Sequence, residues 1–96
     1  MSPLNKKKLN VIRKKLDLID NNLLKIIKKR FMLVNQVLKL KIHKNEIVDK
    51  KRISTILNKI KKKSIAEKID PKITNRIWRN MIWSFIDFER RNFKKK

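Results

Sequence analysis

Residues 9–42, LNVIRKKLDLIDNNLLKIIKKRFMLVNQVLKLKI, decide the fold. The run holds neither glycine nor proline. Its apolar residues fall at Leu9, Ile12, Leu16, Ile19, Leu23, Ile26, Leu33, Val37 and Leu40. Alternating steps of three and four put them on one seam of a helix. Where the series calls for an apolar residue between Ile26 and Leu33, the chain has Arg30. A guanidinium in a buried seam is costly unless an anion meets it. Arg30 therefore either breaks the seam and snorkels to solvent or faces a site. Lys41 lies eleven residues further on, three helical turns, and projects from nearly the same face. Arg13 is on the same helix but about 42 Å from Lys41 at 1.5 Å per residue. One straight helix cannot bring Arg13 and Lys41 to one small ligand. Two copies packed antiparallel can, with Arg13 of one beside Arg30 and Lys41 of the other.

Working outward, 96 residues allow a single domain, residues 1–96. A helix of this length runs about 50 Å, whereas a compact chain of this size has a radius of gyration near 13 Å. It overhangs any three-helix monomer, so its seam predicts an oligomer, most simply a two-fold dimer. Ser2-Pro3 has the form of a cap and first helical position. The basic segment 1–8 is read as either a first turn or a frayed end, and residues 92–96 as a basic tail. His43 to Ile47 reads as a short polar connection. A second helix is expected from near Asp49, where a carboxylate suits the orphan amides. Its apolar face is Ile53, Ile56, Leu57 and Ile60, and it fades around Ala66 to Lys68. Asp70-Pro71 is the clearest start signal, a capping acid followed by proline at the first position. The third helix carries Ile73, Ile77, Trp78, Met81, Ile82, Phe85 and Phe88 to about Phe93. Most of that stripe is ordinary core. Glu89 lies close to it and is expected to look inward, with Asp87 facing out. The fold class is all-α, with one long and two shorter helices.

Composition narrows the chemistry. With no cysteine, disulfides, thiolate zinc sites and a cysteine nucleophile are excluded. With no glycine, Gly-rich phosphate loops and dinucleotide fingerprints are absent. No apolar run approaches a membrane span and no apolar signal core precedes the helix, so the expected compartment is the cytoplasm. His43, the single histidine, has no second ligand type nearby and is read as a loop residue; no metal site and no cofactor are expected. The formal charge of +21 predicts attraction to nucleic acid or anionic membrane. The basic residues are spread through every segment, however, and Lys, Ile and Asn are abundant together. That pattern fits compositional drift better than dedicated nucleic-acid binding, and leaves at most non-specific association. The arginines, residues 13, 30, 52, 76, 79, 90 and 91, carry more information, because only arginine offers a planar fork for carboxylates.

Taken together, IRKKLDLIDNNLLKIIKKR, LVNQVLKLK, IVDKKR and DPKITNRIWRNMIWSFIDFE resemble the all-helical chorismate mutases over roughly residues 9–91. The opening I-R-x-x-L-D-x-I-D, the arginine ten residues after Asp20 and the lysine eleven beyond it are specific in combination. The resemblance implies an intertwined helical homodimer in which the long helices pair and each active site borrows one arginine from its neighbour. It implies a stand-alone enzyme that rearranges chorismate to prephenate on the route to phenylalanine and tyrosine, without nucleophile, metal or cofactor. By position, Arg30 and the neighbour's Arg13 would clamp the two substrate carboxylates. Lys41 would donate to the ether oxygen, Asp49 would hold the ring hydroxyl, and Arg52 would line the pocket. Glu89 stands where the family has Gln or Glu beside the ether oxygen, and a carboxyl can donate there only in its protonated form. Two positions depart from the pattern. Ile53 stands where the family commonly has a hydroxyl-binding Glu, and Phe85 where it often has Ser or another small residue. The connection from Lys41 to Asp49 is also one residue short of some members. The carboxylate clamp is intact, and two outcomes stay open for the hydroxyl: weakened activity, or Asp49 carrying the contact alone. The competing classes are a basic helical nucleic-acid-binding module, and a helical dimer that kept the fold and lost catalysis. The first lacks a recognition-helix turn and a zinc framework.

Overall fold

The computed structural model describes residues 1–95; Lys96, the last residue of the expected basic tail, lies outside them. Helix α1 spans Pro3–Leu40, a 3-10 turn spans Lys44–Glu46, α2 spans Lys50–Ala66 and α3 spans Pro71–Asn92. There is no strand among the described residues. The expected all-α class with one long and two shorter helices is therefore the observed one.

The helix boundaries follow from local hydrogen bonding. Ser2 Oγ accepts from the Asn5 N–H at 3.1 Å and Pro3 begins the helix, so residues 5–8 are helical. Helix α1 stops at Leu40, two residues before the periodicity runs out. The Glu46 carboxylate causes this: it takes the amides of Ile42 at 3.2 Å and His43 at 2.8 Å, which would otherwise extend the helix. Asp49 Oδ1 accepts from the Arg52 N–H at 2.9 Å and starts α2. Asp70 Oδ1 does the same for Lys72 at 2.9 Å ahead of α3, with Pro71 in the first turn.

Helix α2 ends with two bonds that turn the chain. The Ile69 N–H donates to the Ser64 carbonyl at 2.9 Å and the Lys68 N–H to the Ile65 carbonyl at 3.1 Å. This geometry requires a left-handed residue just past the helix, and Lys68 supplies it at φ 58°. Glycine is the usual occupant, and the chain has none. A side chain there costs about 1–2 kcal/mol, part of which glycine returns through its greater freedom when unfolded. Lys68→Gly is therefore expected to stabilise the protein by about 0.5–1 kcal/mol in urea unfolding, whereas a loss of stability would contradict this account of the turn.

By packing the chain divides into Met1–Leu33 and Val34–Lys96. The first unit is the N-terminal part of α1. Many of its apolar side chains are exposed in the single chain: Ile12 is 53% exposed, Leu16 51%, Ile19 59% and Leu23 49%. In the second unit α2 packs against α3. Ile47, Ile82 and Ile86 are buried together, with Val48, Ile53, Ile56, Leu57 and Phe93 against them. The two helices are also pinned by a buried hydroxyl pair, Ser64 Oγ to Thr74 Oγ1 at 2.7 Å. Ser64 Oγ lies 2.6 Å from the Ile60 carbonyl, an acceptor for its proton. Thr74 Oγ1 has a carbonyl acceptor of its own, Pro71 at 3.3 Å, and either hydroxyl can be the donor in the pair. Both hydroxyls are then satisfied inside the helix contact, as burial demands.

Candidate functional site

The second unit contains a charged pair that its core does not require. Lys41 is the first residue beyond α1, where the helix has just been stopped, so its side chain is held by a terminus rather than carried in a helical stripe. Glu89 is on the inner side of α3, a turn beyond Phe85, among residues that are otherwise apolar. Lys41 Nζ donates to Glu89 Oε2 at 2.9 Å, and the side chains are only 16% and 7% exposed. Removing two charges from water this far costs several kcal/mol per ion before their attraction is counted, so a pair of similar-sized apolar residues would serve the fold as well or better. A pair retained at that cost is a candidate for chemistry. Asp87, two residues away, is exposed, as the stripe predicts.

Lys41 also lines an open depression of about 670 Å3 with Asn45, Glu46, Val48, Asp49 and Lys50. Lys41 and Asp49, eight residues apart in sequence, thus border one space. Asp49 Oδ1 is engaged by the Arg52 amide, while Oδ2 has no partner among the described residues and is available as an acceptor. Arg52 is exposed one turn into α2. Ile53 is half-buried against Ile47, Ile82 and Ile86, so the residue that stands in for the family's acid packs with the core. Phe85 is half-buried on α3. In the first unit Arg13 is exposed and Arg30 half-buried. Both are on α1, seventeen residues and about 26 Å apart, too far to share one small ligand from a single chain.

Glu46 is the residue that reading the sequence as a polar connection overlooks. An acid three residues after His43, alone in a basic run, has the spacing of a capping box, which is the signal that finds it. Its carboxyl is held below the ordinary carboxylate range, first by the hydrogen bond from the His43 N–H, which with the Ile42 bond and the Lys41 charge outweighs partial desolvation. A depressed value means the carboxylate contributes stability above the unfolded value of 4.5 and loses it as pH falls through the lower folded value. The amide proton shifts of Ile42 and His43 are expected to titrate together below pH 4.5. They should be flat in Glu46→Ala; titration that persists in that variant would show another group to be responsible.

No described helix is long and apolar enough to cross a membrane. No group of three or more potential metal-ligating side chains occurs among the described residues. No curated protein and no solved structure matches the chain. The family described as chorismate mutase type II matches residues 12–90, a span that includes every candidate from Arg13 to Glu89. With an all-helical architecture and a match over most of its length, the chain belongs to the chorismate mutase type II family.

Proposed function

We propose that the protein catalyses the rearrangement of chorismate to prephenate as a homodimer, with each site completed by the partner subunit's Arg13. The observation that carries the reading is the desolvated Lys41–Glu89 pair at 2.9 Å, with Lys41 bordering the same depression as Asp49. The reaction is a pericyclic shift in which the ether C–O bond breaks as a new C–C bond forms in one cyclic movement of electrons. It needs no nucleophile and no proton transfer. Two contributions remain for the protein. One is to hold the substrate in its reactive folded conformer, the other to stabilise negative charge growing on the ether oxygen.

The residues divide between those tasks. Arg30 and the partner subunit's Arg13 clamp the substrate's two carboxylates through paired N–H groups. Lys41 Nζ donates to the ether oxygen, and the Glu89 carboxylate, through its bond to Lys41, orients the ammonium group. Asp49 accepts from the ring hydroxyl through the oxygen left over from its cap, in place of the acid that Ile53 replaces. Arg52 and Phe85 line the pocket walls. The dimer is supported by α1, which is 38 residues and about 57 Å long. Leu33 and Val37 continue the uncovered seam at 60% and 48% exposed. A single helix with an open apolar stripe gains its stability from a partner surface. The compartment consistent with this reading is the cytoplasm.

The test is an assay of prephenate formation by the purified protein without added metal or cofactor, beside sedimentation at micromolar concentration. Saturable turnover by a species of twice the chain mass is expected. A folded dimer that leaves chorismate unchanged would make this a mutase fold without the activity, and a fully active monomer would overturn the shared site.

A further inference from the structure

We propose that the cleft between α2 and the N-terminal half of α3 binds a compact anion carrying several phosphate charges. The cleft has a volume of about 520 Å3, and its charged walls are Lys61 of α2 and Lys72, Arg76 and Arg79 of α3. The volume is in the range of about 300–1,000 Å3 typical of small-molecule sites.

Three features make this more than a patch on a basic protein. First, no carboxylate lines the cleft, and none of the four cations is in an ion pair among the described residues. Second, they gather where a helix least favours them. No acid occupies the first turn of α3; Lys72 is there instead, at the positive end of the peptide dipole, and Arg76 and Arg79 follow along the same face. Asp70 does not offset them by pairing; its Oδ1 is committed to the Lys72 amide. Cations are worth more at the other end of the helix, where Arg90 and Arg91 are found. Third, one guanidinium is already oriented. Arg79 Nε donates to Asn75 Oδ1 at 2.8 Å, which fixes the plane of the fork and leaves the four terminal N–H groups for a ligand.

The chemistry selects the ligand class. Four cations call for an anion of several charges, and a monocarboxylate would leave most of them unmet. Phosphate oxygens match the fork bidentately, and a phosphate chain spreads its charge over the span from Lys72 to Arg79, about 10 Å along the helix. The site is separate from the Lys41 depression, with which it shares no lining residue.

The experiment is calorimetric titration of the intact protein with tripolyphosphate and with inorganic phosphate at constant ionic strength. It is repeated for Arg76→Gln/Arg79→Gln and, as a control for bulk charge, Arg90→Gln/Arg91→Gln. Tripolyphosphate is expected to bind at one site per chain, and the first pair of changes to weaken it by about tenfold or more while the control pair leaves it within a factor of about two. Circular dichroism of both double variants checks that the helices persist. Equal weakening in both variants, or binding that vanishes when ionic strength is held constant, would mean general charge attraction and overturn the proposal. A single-stranded oligonucleotide that binds more tightly than tripolyphosphate, and is weakened by the same two changes, would replace a compact ligand with a strand and overturn it also.

Discussion

Lys41→Ala is expected to lower kcat for chorismate by about a hundred- to a thousandfold, the usual effect of deleting one donor to a developing oxyanion. The ammonium group contributes when charge appears on the ether oxygen, so kcat should fall more than KM rises. The same change strands Glu89, a carboxylate in a side chain only 7% exposed. Breaking one half of such a pair costs about 3–5 kcal/mol of stability, so activity and folding would drop together and obscure each other. The double change Lys41→Met/Glu89→Leu separates them. It replaces the pair with apolar residues of similar volume, and stability should return to within about 1–2 kcal/mol of the parent. Activity should not return. A Lys41→Met/Glu89→Leu protein that is both stable and active would show that the pair takes no part in catalysis.

The helices were legible because their signals are local. Ser2-Pro3, Asp49 and Asp70-Pro71 each place a cap where the chain needs one, and the period of the apolar residues supplies the rest. The end of α1 was not legible from periodicity, because Ile42 continues the apolar pattern while its amide is taken by a side chain four residues later. The turn after α2 was hidden for a related reason: a left-handed position is normally announced by glycine, and here Lys68 occupies it. Ser64 and Thr74 gave no signal, since two hydroxyls ten residues apart become a buried pair only when α2 folds back on α3. At the site, the inward aspect of Glu89 followed from its place beside the stripe of α3. Its contact with Lys41 did not follow from spacing, because 48 residues separate the two and tertiary packing alone joins them. Ile53 shows the same limit. Its contact with Ile47, Ile82 and Ile86 depends on how α2 packs against α3, which its position in the sequence does not reveal.

The arginines of α1 bear on the assembly itself. Arg13 and Arg30 are on one helix, about 26 Å apart, and a small dianion cannot span that distance. If both clamp the substrate, they come from different subunits. In the proposed shared site Arg13→Ala and Arg30→Ala would each remove a bidentate, charge-assisted contact to a substrate carboxylate, and each is expected to cost several kcal/mol of transition-state stabilisation. Arg→Lys at either position should fail as well, since an ammonium group does not reproduce the fork. The stability of each single variant should be near that of the parent for Arg13, whose side chain is exposed.

The decisive measurement is activity after subunit exchange between the inactive Arg13→Ala and Arg30→Ala proteins. In a mixed dimer one site receives both lesions and the other receives neither. Equal amounts exchanging at random make about half of the dimers mixed, each with one intact site of two, so about one quarter of the wild-type activity should return. Recovery should follow the rate at which subunits exchange, measured in parallel with labelled chains. If exchange is complete and no activity returns, Arg13 and Arg30 do not meet across the dimer and the shared site is wrong.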